Sequence, residues 1–453
     1  MTVDLGRRRT GRAHLFVRSV AGRQRANLPS ARFAGALVGL TVIGLLLRLW
    51  YADESLFTGT GGDPMWYHLV ANRVADGLGY TNPGVGGIAG SPTGFHPPLF
   101  SLVLSVGSLL GLRSFDGHQA IGCLFGALTI PVVGVIGRQV AGQTVGLVAA
   151  ALATVSLAMI ADSSTLYSEG LYSLLVAGSL WAALRLLRDR SVINAAVLAF
   201  LVMLATLTKA DATLLFVLVG ALTLSGGPGR WQRTAAAAVT ALVILAPWSA
   251  YESAKFDKPV VLSTNLGSVL AGANCDQAYH GDLKGSWSLF CLMDSAGAAP
   301  AGDESEQSKA WTRQARAYAT DHVGALPGVV AARVLRTTGA WDPEATVRLD
   351  RFTFAVPKAL GWPLLAWMWL TLLAGAVGAA VLYRRWPGAT WVLLAPVVLT
   401  FLTAAATYGA TRFRAPAEPS LMVFCAVMMV WAGRRIADRS HSRWGQLTGP
   451  VLR

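Results

Sequence analysis

Two short stretches place ionisable side chains at the edges of long apolar segments. Residues 62–68 read Gly-Asp-Pro-Met-Trp-Tyr-His, and residues 411–416 read Thr-Arg-Phe-Arg-Ala-Pro. An ionisable side chain near lipid is costly, so each one that is kept there is a functional-site hypothesis. A carboxylate in one stretch and guanidinium groups in the other predict chemistry on a phosphate-bearing substrate at a membrane surface.

Asp63 has two interpretations. As a structural residue it caps a helix, with Pro64 at the first helical position and an apolar face running from Trp66 to Leu78. As a functional residue it is a general base that takes a proton from an incoming hydroxyl. Capping does not exclude catalysis, and the neighbouring Tyr67 and His68 are predicted to contact the substrate.

A second acid, Glu169, lies in the segment Leu-Tyr-Ser-Glu-Gly at 166–170. It can be an interfacial residue at a helix start, where the helix dipole favours negative charge. It can equally be a second catalytic carboxylate on the same side of the membrane as Asp63. Tyr167 is then a further substrate contact, and Asp162 in the same loop is the weaker acidic candidate.

Four basic or titratable side chains are predicted to bind a phosphate. Lys209, Arg412 and Arg414 are the basic residues of the short loops on the side opposite the arginine-rich ones. They either extend toward lipid head groups or recognise a phosphate, for which paired guanidinium groups are well suited. His96, before two prolines, either donates to the same phosphate or has a structural role. Preorganised positive charge of this kind would stabilise an anionic leaving group.

The composition identifies the kind of protein that must position these residues. Of its 453 residues, 53% are hydrophobic and 14% are charged, whereas soluble domains carry about 25% charged residues. Long apolar runs recur from Phe33 to Gly433, which predicts an all-α polytopic membrane protein. The net charge of +14 does not indicate a nucleic-acid partner, because the basic residues are dispersed between apolar segments.

Hydropathy predicts about ten transmembrane helices. They are expected at 34–50, 118–137, 143–161, 169–187, 192–208, 212–226, 232–250, 361–383, 389–407 and 417–433. One further apolar run, 99–112, is short enough to be an interfacial helix on the outer face.

The distribution of arginine decides whether the run 99–112 crosses the membrane. If it does not cross, Arg138, the arginines within 185–190 and both later arginine pairs fall on one side with the termini. If it crosses, those clusters lie outside, against the positive-inside rule. We therefore expect a multi-pass plasma-membrane protein with both termini cytoplasmic and the candidate site extracytoplasmic.

This topology divides the chain into five parts. The predicted parts are a cytoplasmic basic tail (1–33), an N-terminal transmembrane module (34–250) with a first external loop (51–117), an extracytoplasmic loop domain (251–360), C-terminal transmembrane helices (361–433) and a cytoplasmic tail (434–453). The loop domain is expected to contain helices near 307–322 and 327–338. If it is outside the cell, Cys275 and Cys291 can form a disulfide.

Several segments together resemble a known enzyme family. In order, they are Gly-Asp at 62–63 with Tyr-His at 67–68, Ala-Asp-Gly-Leu-Gly-Tyr at 75–80, His-Pro-Pro-Leu at 96–99, Tyr-Ser-Glu at 167–169 and Thr-Arg-Phe-Arg-Ala-Pro-Ala-Glu-Pro at 411–419. The set resembles the actinobacterial branch of glycosyltransferase family 39, in the GT-C superfamily. Two positions depart from the family pattern: Pro64 stands where many relatives have Glu, and His96 stands where others have Lys.

The resemblance implies a GT-C-like fold with extracytoplasmic interfacial helices, and a polyprenyl-phosphate sugar donor. It implies an extracytoplasmic acceptor hydroxyl on a lipid, glycan or protein, with Asp63 as base, Glu169 as second acid and one inverting displacement. No cofactor is required, because cationic side chains can cover the phosphate charge, although Asp63 and Glu169 could share a divalent cation. The alternative function is a transporter or flippase for a lipid-linked sugar.

Overall fold

The computed structural model of this chain describes residues 30–54, 62–85, 87–293, 299–353 and 355–447. Within these ranges the regular structure is helical, and the one strand-like feature is an isolated bridge between Thr81 and Pro92. The predicted all-α fold class is therefore confirmed. Most of the predicted basic tail, up to residue 29, and residues 448–453 of the other tail lie outside the described residues.

The helices follow one another along the whole chain. They are α1 (Ala31–Glu54), α2 (Gly62–Ala75), α3 (Leu99–Leu109), α4 (Phe115–Ala141), α5 (Gln143–Val155), α6 (Leu157–Ser164), α7 (Glu169–Arg188), α8 (Val192–Thr208), α9 (Phe216–Leu224), α10 (Arg230–Ser253), α11 (Leu266–Ala273), α12 (Asp276–Tyr279), α13 (Glu304–Asp321), α14 (Leu326–Thr337), α15 (Pro343–Thr353), α16 (Gly361–Tyr383), α17 (Pro387–Ala406) and α18 (Glu418–Leu447).

The apolar helices make this a multi-pass membrane protein. In the described part of the chain, 7 helices are long and apolar enough to cross a membrane, or 8 if the bent pair α5 and α6 is one span. Helix α8 and the segment Ala210–Leu224, which a 3₁₀ turn opens, are shorter. All ten predicted segments are thus helical, and the crossing of these two shorter ones stays a prediction.

A break at Ser156 turns α6 by 54° from the axis of α5. The Ser156 backbone is extended, and its hydroxyl caps α6 by accepting a hydrogen bond from the Met159 amide. The indole nitrogen of Trp367 donates to the same hydroxyl at 3.1 Å. The bend is therefore built into the sequence, and it leads the chain toward the loop that carries Tyr167 and Glu169.

Helices α16 and α18 pack closely through a small residue. A Cβ atom added at Gly378 would overlap the backbone carbonyl of Phe424. Only glycine allows this approach, which agrees with the small-residue spacing that favours tight packing of membrane helices. The contact brings α18, which follows the loop carrying Arg412 and Arg414, close to α16.

The arginine-rich loops meet at one end of the helical bundle. The Arg188 guanidinium donates to the carbonyl of Gln139, and that of Arg190 donates to the carbonyls of Ser225 and Gly226 at 3.0 and 2.8 Å. Helices α4, α7 and α9 therefore end together here. This grouping agrees with the predicted parity, while the assignment of this end to the cytoplasm stays a prediction.

Helices α11 to α15 form a small domain beyond the opposite end of the bundle. It contains a disulfide between Cys275 and Cys291, the predicted pair, beside buried Tyr279 and Val329. Helices α13 and α14 occupy nearly the two ranges predicted to be helical. Buried Arg333 docks the domain on the bundle by donating to the carbonyl of Ala405, at the end of α17, at 3.2 Å.

Candidate active site

Helix α2 positions Asp63 at the mouth of the bundle. The helix begins at Gly62, whose φ of +69° is in the left-handed region, so Asp63 lies in the first turn rather than at the N-cap. Its carboxylate is favoured by the positive end of the helix dipole. Trp66 and Val70 anchor the helix in the core, and the Asp63 side chain is left 31% exposed. A substrate can therefore reach it.

Two cationic or potentially cationic groups contact the Asp63 carboxylate. One oxygen lies 3.1 Å from Nη1 of Arg412, and the other lies 3.4 Å from Nε2 of His96. Burial by itself would raise the pKa of Asp63, but the charges and hydrogen bonds of His96 and Arg412 hold the pKa well below its usual range. The resting carboxylate is therefore ionised.

His96 is fixed in an aromatic pocket. Its ring centre lies 4.7 Å from that of Trp66, 4.8 Å from that of Tyr67 and 4.8 Å from that of Phe95. Its backbone carbonyl accepts a hydrogen bond from the Tyr80 hydroxyl at 3.0 Å. These contacts restrict the imidazole to the orientation that faces Asp63.

Glu169, the first residue of α7, forms the second acidic position of the same site. One of its oxygens lies 2.6 Å from Nζ of Lys209 and 3.9 Å from Nε of Arg412. The Glu169 side chain is 2% exposed, so a substrate reaches Asp63 more readily. Buried carboxylates are costly unless they are paired, and Lys209 provides the partner here.

Arg412 is the residue that joins the parts of the site. Its guanidinium contacts Asp63 and Glu169, and its Nη2 donates to the Tyr408 hydroxyl at 3.0 Å. The same guanidinium stacks over the Tyr167 ring, 4.9 Å from its centre. Predicted residues from three separate loops therefore converge on one side chain.

Two predicted site residues are not brought to this group. Arg414 points into the bundle, where its Nη2 lies 2.7 Å from Glu418 and 3.2 Å from the Thr371 hydroxyl. His68 faces the other side of α2, and its Nδ1 lies 3.1 Å from Nδ1 of His118. Of the two predicted guanidinium groups, that of Arg412 contacts Asp63, and that of Arg414 pairs with Glu418 instead.

Tyr67 lies between the two acids and is buried. Burial, followed by the negative charge of Asp63, raises the pKa of its phenol well above the usual range, although a hydrogen bond with the Ser168 side chain acts in the opposite direction. A phenol that stays protonated is a hydrogen-bond donor. Tyr67 thus links α2 to the loop that carries Glu169.

A cavity of about 140 Å³ opens beside Asp63, between the first external loop and the small domain. Its walls include Trp66 and His96 on one side and Thr264, Glu304 and Trp311 on the other. Glu304 and Trp311 of the small domain were not predicted from the sequence to line the site. The cavity is large enough for part of a ligand and reaches the Asp63 carboxylate.

Glu304 and Tyr408 are the site residues that the sequence did not reveal. Glu304 accepts hydrogen bonds from the Thr93 hydroxyl at 2.6 Å, the Gly94 amide at 2.9 Å and the Thr264 hydroxyl at 2.8 Å. It sits in an acidic run that looks solvated in the sequence, so no local signal distinguishes it. Tyr408 could have been found, because it precedes Arg412 by four residues at the edge of the same apolar segment.

The acids at this site are paired with cationic side chains. Among the described residues no group of three or more His, Cys, Asp or Glu side chains is arranged to hold a metal ion. Asp63 and Glu169 instead face Arg412 and Lys209. The divalent cation that these acids could share therefore stays a prediction.

Comparison with known proteins adds a family match and a fold. Residues 95–251 match the family model of dolichyl-phosphate-mannose-protein mannosyltransferase. No curated protein sequence matches the chain significantly.

Solved structures of an oligosaccharyltransferase from Archaeoglobus fulgidus are similar in fold. The one tethered to an acceptor peptide containing the NVT sequon has a TM-score of 0.53 and 15% identity, over 90% of this chain and 50% of that chain. The complex of that enzyme, AglB, with an inhibitory peptide and a dolichol-phosphate has a TM-score of 0.51 and 13% identity, over 93% and 52%. The chain thus spans about half the length of these proteins. ArnT from Cupriavidus metallidurans bound to undecaprenyl phosphate has a TM-score of 0.42 and 16% identity, over 87% and 78%.

The family match covers the segment from His96 through Glu169 and Lys209 to the end of α10. The shared fold with the archaeal enzyme extends over nearly the whole chain. The actinobacterial branch stays a prediction. By this segment and this fold, the chain is similar to that mannosyltransferase family over residues 95–251 and shares the fold of the archaeal oligosaccharyltransferase.

Proposed function

We propose that this protein is a membrane glycosyltransferase that moves a sugar from a polyprenyl-phosphate donor to an acceptor hydroxyl on the extracytoplasmic side. The observation that carries the proposal is the sharing of one guanidinium, Arg412, by Asp63 and Glu169 beside an open cavity. This arrangement places a proton acceptor, Asp63, in contact with a group that can bind phosphate, Arg412. The dolichol-phosphate in the archaeal complex of similar fold supports a lipid-linked donor.

The proposed reaction is a single displacement. Asp63 takes the proton of the acceptor hydroxyl while that oxygen attacks the anomeric carbon of the sugar. The bond from this carbon to the phosphate oxygen breaks, and the electron pair leaves with the lipid phosphate. Attack from the side opposite the leaving group inverts the anomeric centre. General-base assistance contributes about 10²–10⁴-fold to such a rate.

Arg412, Lys209 and His96 form the phosphate-binding part of the proposal. Arg412 and Lys209 offer positive charge beside Glu169, and His96 lies on the other side of Asp63. Donors aimed at developing negative charge stabilise the transition state. Arg414, which pairs with Glu418, keeps the loop between α17 and α18 in place rather than binding the phosphate.

Donor binding would also activate the base. In the resting site Arg412 is one of the two groups that hold the Asp63 pKa low. A donor phosphate that draws the guanidinium toward itself weakens this contact and raises the pKa of Asp63, which makes it a better proton acceptor. The proton is therefore taken most readily once the donor is in place.

The cavity beside Asp63 is the proposed acceptor entrance. It lies between the first external loop and α13, which is the face that a lipid, glycan or protein acceptor would approach. The peptide ligands of the archaeal oligosaccharyltransferase are compatible with a protein acceptor.

The decisive experiment is a transfer assay with the purified full-length protein in liposomes, using radiolabelled polyprenyl-phosphate sugars and a membrane extract as acceptor. Asp63→Asn should abolish transfer, whereas Asp76→Asn, which alters an exposed acid paired with Arg113 at 2.6 Å, should not. Wild-type turnover by Asp63→Asn would show that Asp63 is not the general base. A lipid-linked sugar transporter would instead move the donor across the vesicle wall without forming a new glycosidic bond.

A further inference from the structure

A second cavity lies at the arginine-rich end of the bundle, opposite the candidate active site. Its volume is about 290 Å³, and it opens between the junction of α4 with α5 and the ends of α16 and α18 nearest to it. Its apolar walls consist of Val140, Ala141, Val145, Val381, Leu382, Val427, Val430 and Trp431. Arg385, Arg434 and Arg435 complete the lining. We call this cavity the basic cleft.

Aromatic side chains place the basic cleft at the depth of lipid head groups. Tyr383 and Trp391 are 49% and 61% exposed at the facing ends of α16 and α17. Trp231, 66% exposed, occupies the corresponding end of α10. Exposed tryptophan and tyrosine at helix ends mark the membrane interface. The arginines of the cleft therefore lie at head-group level, and its apolar walls extend toward the hydrocarbon.

Among the described residues, the charge at the mouth of the cleft has no acidic partner. All three arginines of the lining are exposed, and within the described side chains no carboxylate lies within 4.0 Å of their guanidinium groups. Arg435 stacks over the Trp431 ring at 4.9 Å, which holds it at the rim. Farther along α18 the sequence adds two more arginines and one acid, Asp438, whose side chains lie outside the described ones.

We propose that the basic cleft binds one anionic phospholipid of the adjacent leaflet. The guanidinium groups would hold the phosphate, for which arginine is suited by its planar pair of donors. The valine-lined wall would pack against the upper part of an acyl chain. Clefts between membrane helices that combine basic and apolar walls favour anionic lipids. The occupant would stabilise the packing of α16 and α18 against α4 and α5, independently of the proposed transfer reaction.

Two neighbouring arginines provide a matched test. Arg385 lines the cleft, whereas Arg384 is also exposed and adjacent to it but does not line it. The full-length protein would be titrated with phosphatidylglycerol and with phosphatidylcholine of the same acyl chains, and bound lipid counted by native mass spectrometry. Arg385→Gln should weaken phosphatidylglycerol binding about fivefold, from the contribution of one basic residue near a membrane surface. Arg384→Gln should change it less than about twofold. Equal losses in the two variants would show diffuse attraction and overturn the proposal.

A second arm separates a lipid from a free phosphate. Val381→Trp fills part of the space between the apolar walls of the cleft and leaves every arginine in place. It should therefore reduce the binding of phosphatidylglycerol and leave the binding of a soluble anion unchanged. Inorganic phosphate should compete poorly with the lipid. If inorganic phosphate displaced phosphatidylglycerol at equal concentration, or if Val381→Trp bound the lipid as the wild type does, the cleft would be a surface site for anions and the proposal would be wrong. Should that variant fail to fold, the comparison of Arg385→Gln with Arg384→Gln decides the question.

Discussion

The Asp63 carboxylate and the Arg412 guanidinium lie 3.1 Å apart, although 349 positions separate them in the chain. The contact closes the first external loop onto the loop before the last helix. An ion pair between chemically useful groups so far apart in sequence requires the whole bundle to assemble correctly. It also makes the reactivity of the carboxylate depend on the position of one cation.

Replacement of Arg412 should therefore separate its two roles. Arg412→Ala should lower kcat by about 10²–10³, because a preorganised donor to the leaving phosphate is lost. Arg412→Lys keeps the charge but cannot bridge Asp63 and Glu169, so it should restore only part of the rate. Transfer rates and donor binding would be measured in liposomes, with Arg348→Ala, an exposed arginine of α15, as control. Wild-type kcat in Arg412→Ala would contradict its role at the phosphate.

The acid limb of the pH profile should move when the Arg412 guanidinium is replaced by a neutral group. The native pKa of Asp63 is depressed, so kcat/KM of the wild type should stay high below the usual Asp pKa of about 3.9. Removal of the guanidinium in Arg412→Gln takes away one of the two groups that lower this pKa, and the limb should shift to higher pH. The same depression means that ionised Asp63 stabilises the fold above pH ~4, and that this stability is lost as pH falls through the native pKa. An acid limb at the same pH in both proteins would contradict the coupling.

Asp350 gives a second pH-dependent prediction, in α15 of the small domain. Burial raises the pKa of its carboxyl to about 7, although the Thr411 hydroxyl donates to it at 2.7 Å. In the native state the group keeps its proton where the unfolded chain has lost it. The stability that this proton provides is complete below pH ~4 and is lost as pH rises through about 7.

Asp350→Asn should therefore flatten the dependence of melting temperature on pH between 5 and 8. The amide can still accept from Thr411, so the loop that carries Arg412 should remain in place. Thermal unfolding in detergent at both pH values would measure the effect, with Glu344→Gln, an exposed acid of the same helix, as control. If the melting temperature of Asp350→Asn changed between pH 5 and pH 8 as much as that of the wild type, the raised pKa could not be assigned to Asp350.

The fold and half of the site could be predicted because their signals are local. Long apolar runs determine the helices, and the distribution of arginine placed Asp63, Glu169 and Lys209 at one end of the bundle. The choice between Arg412 and Arg414 could not be predicted. Thr411–Arg414 form a 3₁₀ turn, in which residues two apart point in different directions. Which of them meets Asp63 depends on the packing of α17 and α18.

The docking of the small domain could not be predicted for a different reason. Its helices were predicted near 307–322 and 327–338, yet nothing in a single sequence encodes where an external domain docks. The hydrogen bonds from Thr93 and Gly94 to Glu304 join segments more than 200 positions apart. The cavity beside Asp63 exists only because of that docking.

Loss of the disulfide should loosen this domain more than the bundle. The bond between Cys275 and Cys291 closes a loop with a sequence separation of 16, for which the stabilisation is about 3 kcal/mol. Cys275→Ser with Cys291→Ser should lower the free energy of unfolding of the domain by about that amount. Limited proteolysis would detect it as faster cleavage within 266–337, and reductant should have the same effect on the wild type. Equal protease resistance with and without the bond would show that helix packing alone holds the domain.

The hydrogen bonds of Glu304, which join the small domain to the first external loop, should control acceptor binding rather than the chemical step. Glu304 holds Thr93, Gly94 and Thr264 at one wall of the cavity but does not contact Asp63 directly. Glu304→Gln retains its size and loses the charge-assisted acceptor, so KM for the acceptor should rise about tenfold, the cost of weakening one or two charged hydrogen bonds. Initial rates at varied acceptor and fixed donor would measure this, with Glu306→Gln as control because Glu306 is half-exposed and lies 3.8 Å from its ion-pair partner Lys258. If Glu304→Gln lowered kcat alone and left KM unchanged, the domain would act on the reacting groups themselves and the cavity would not be the acceptor entrance.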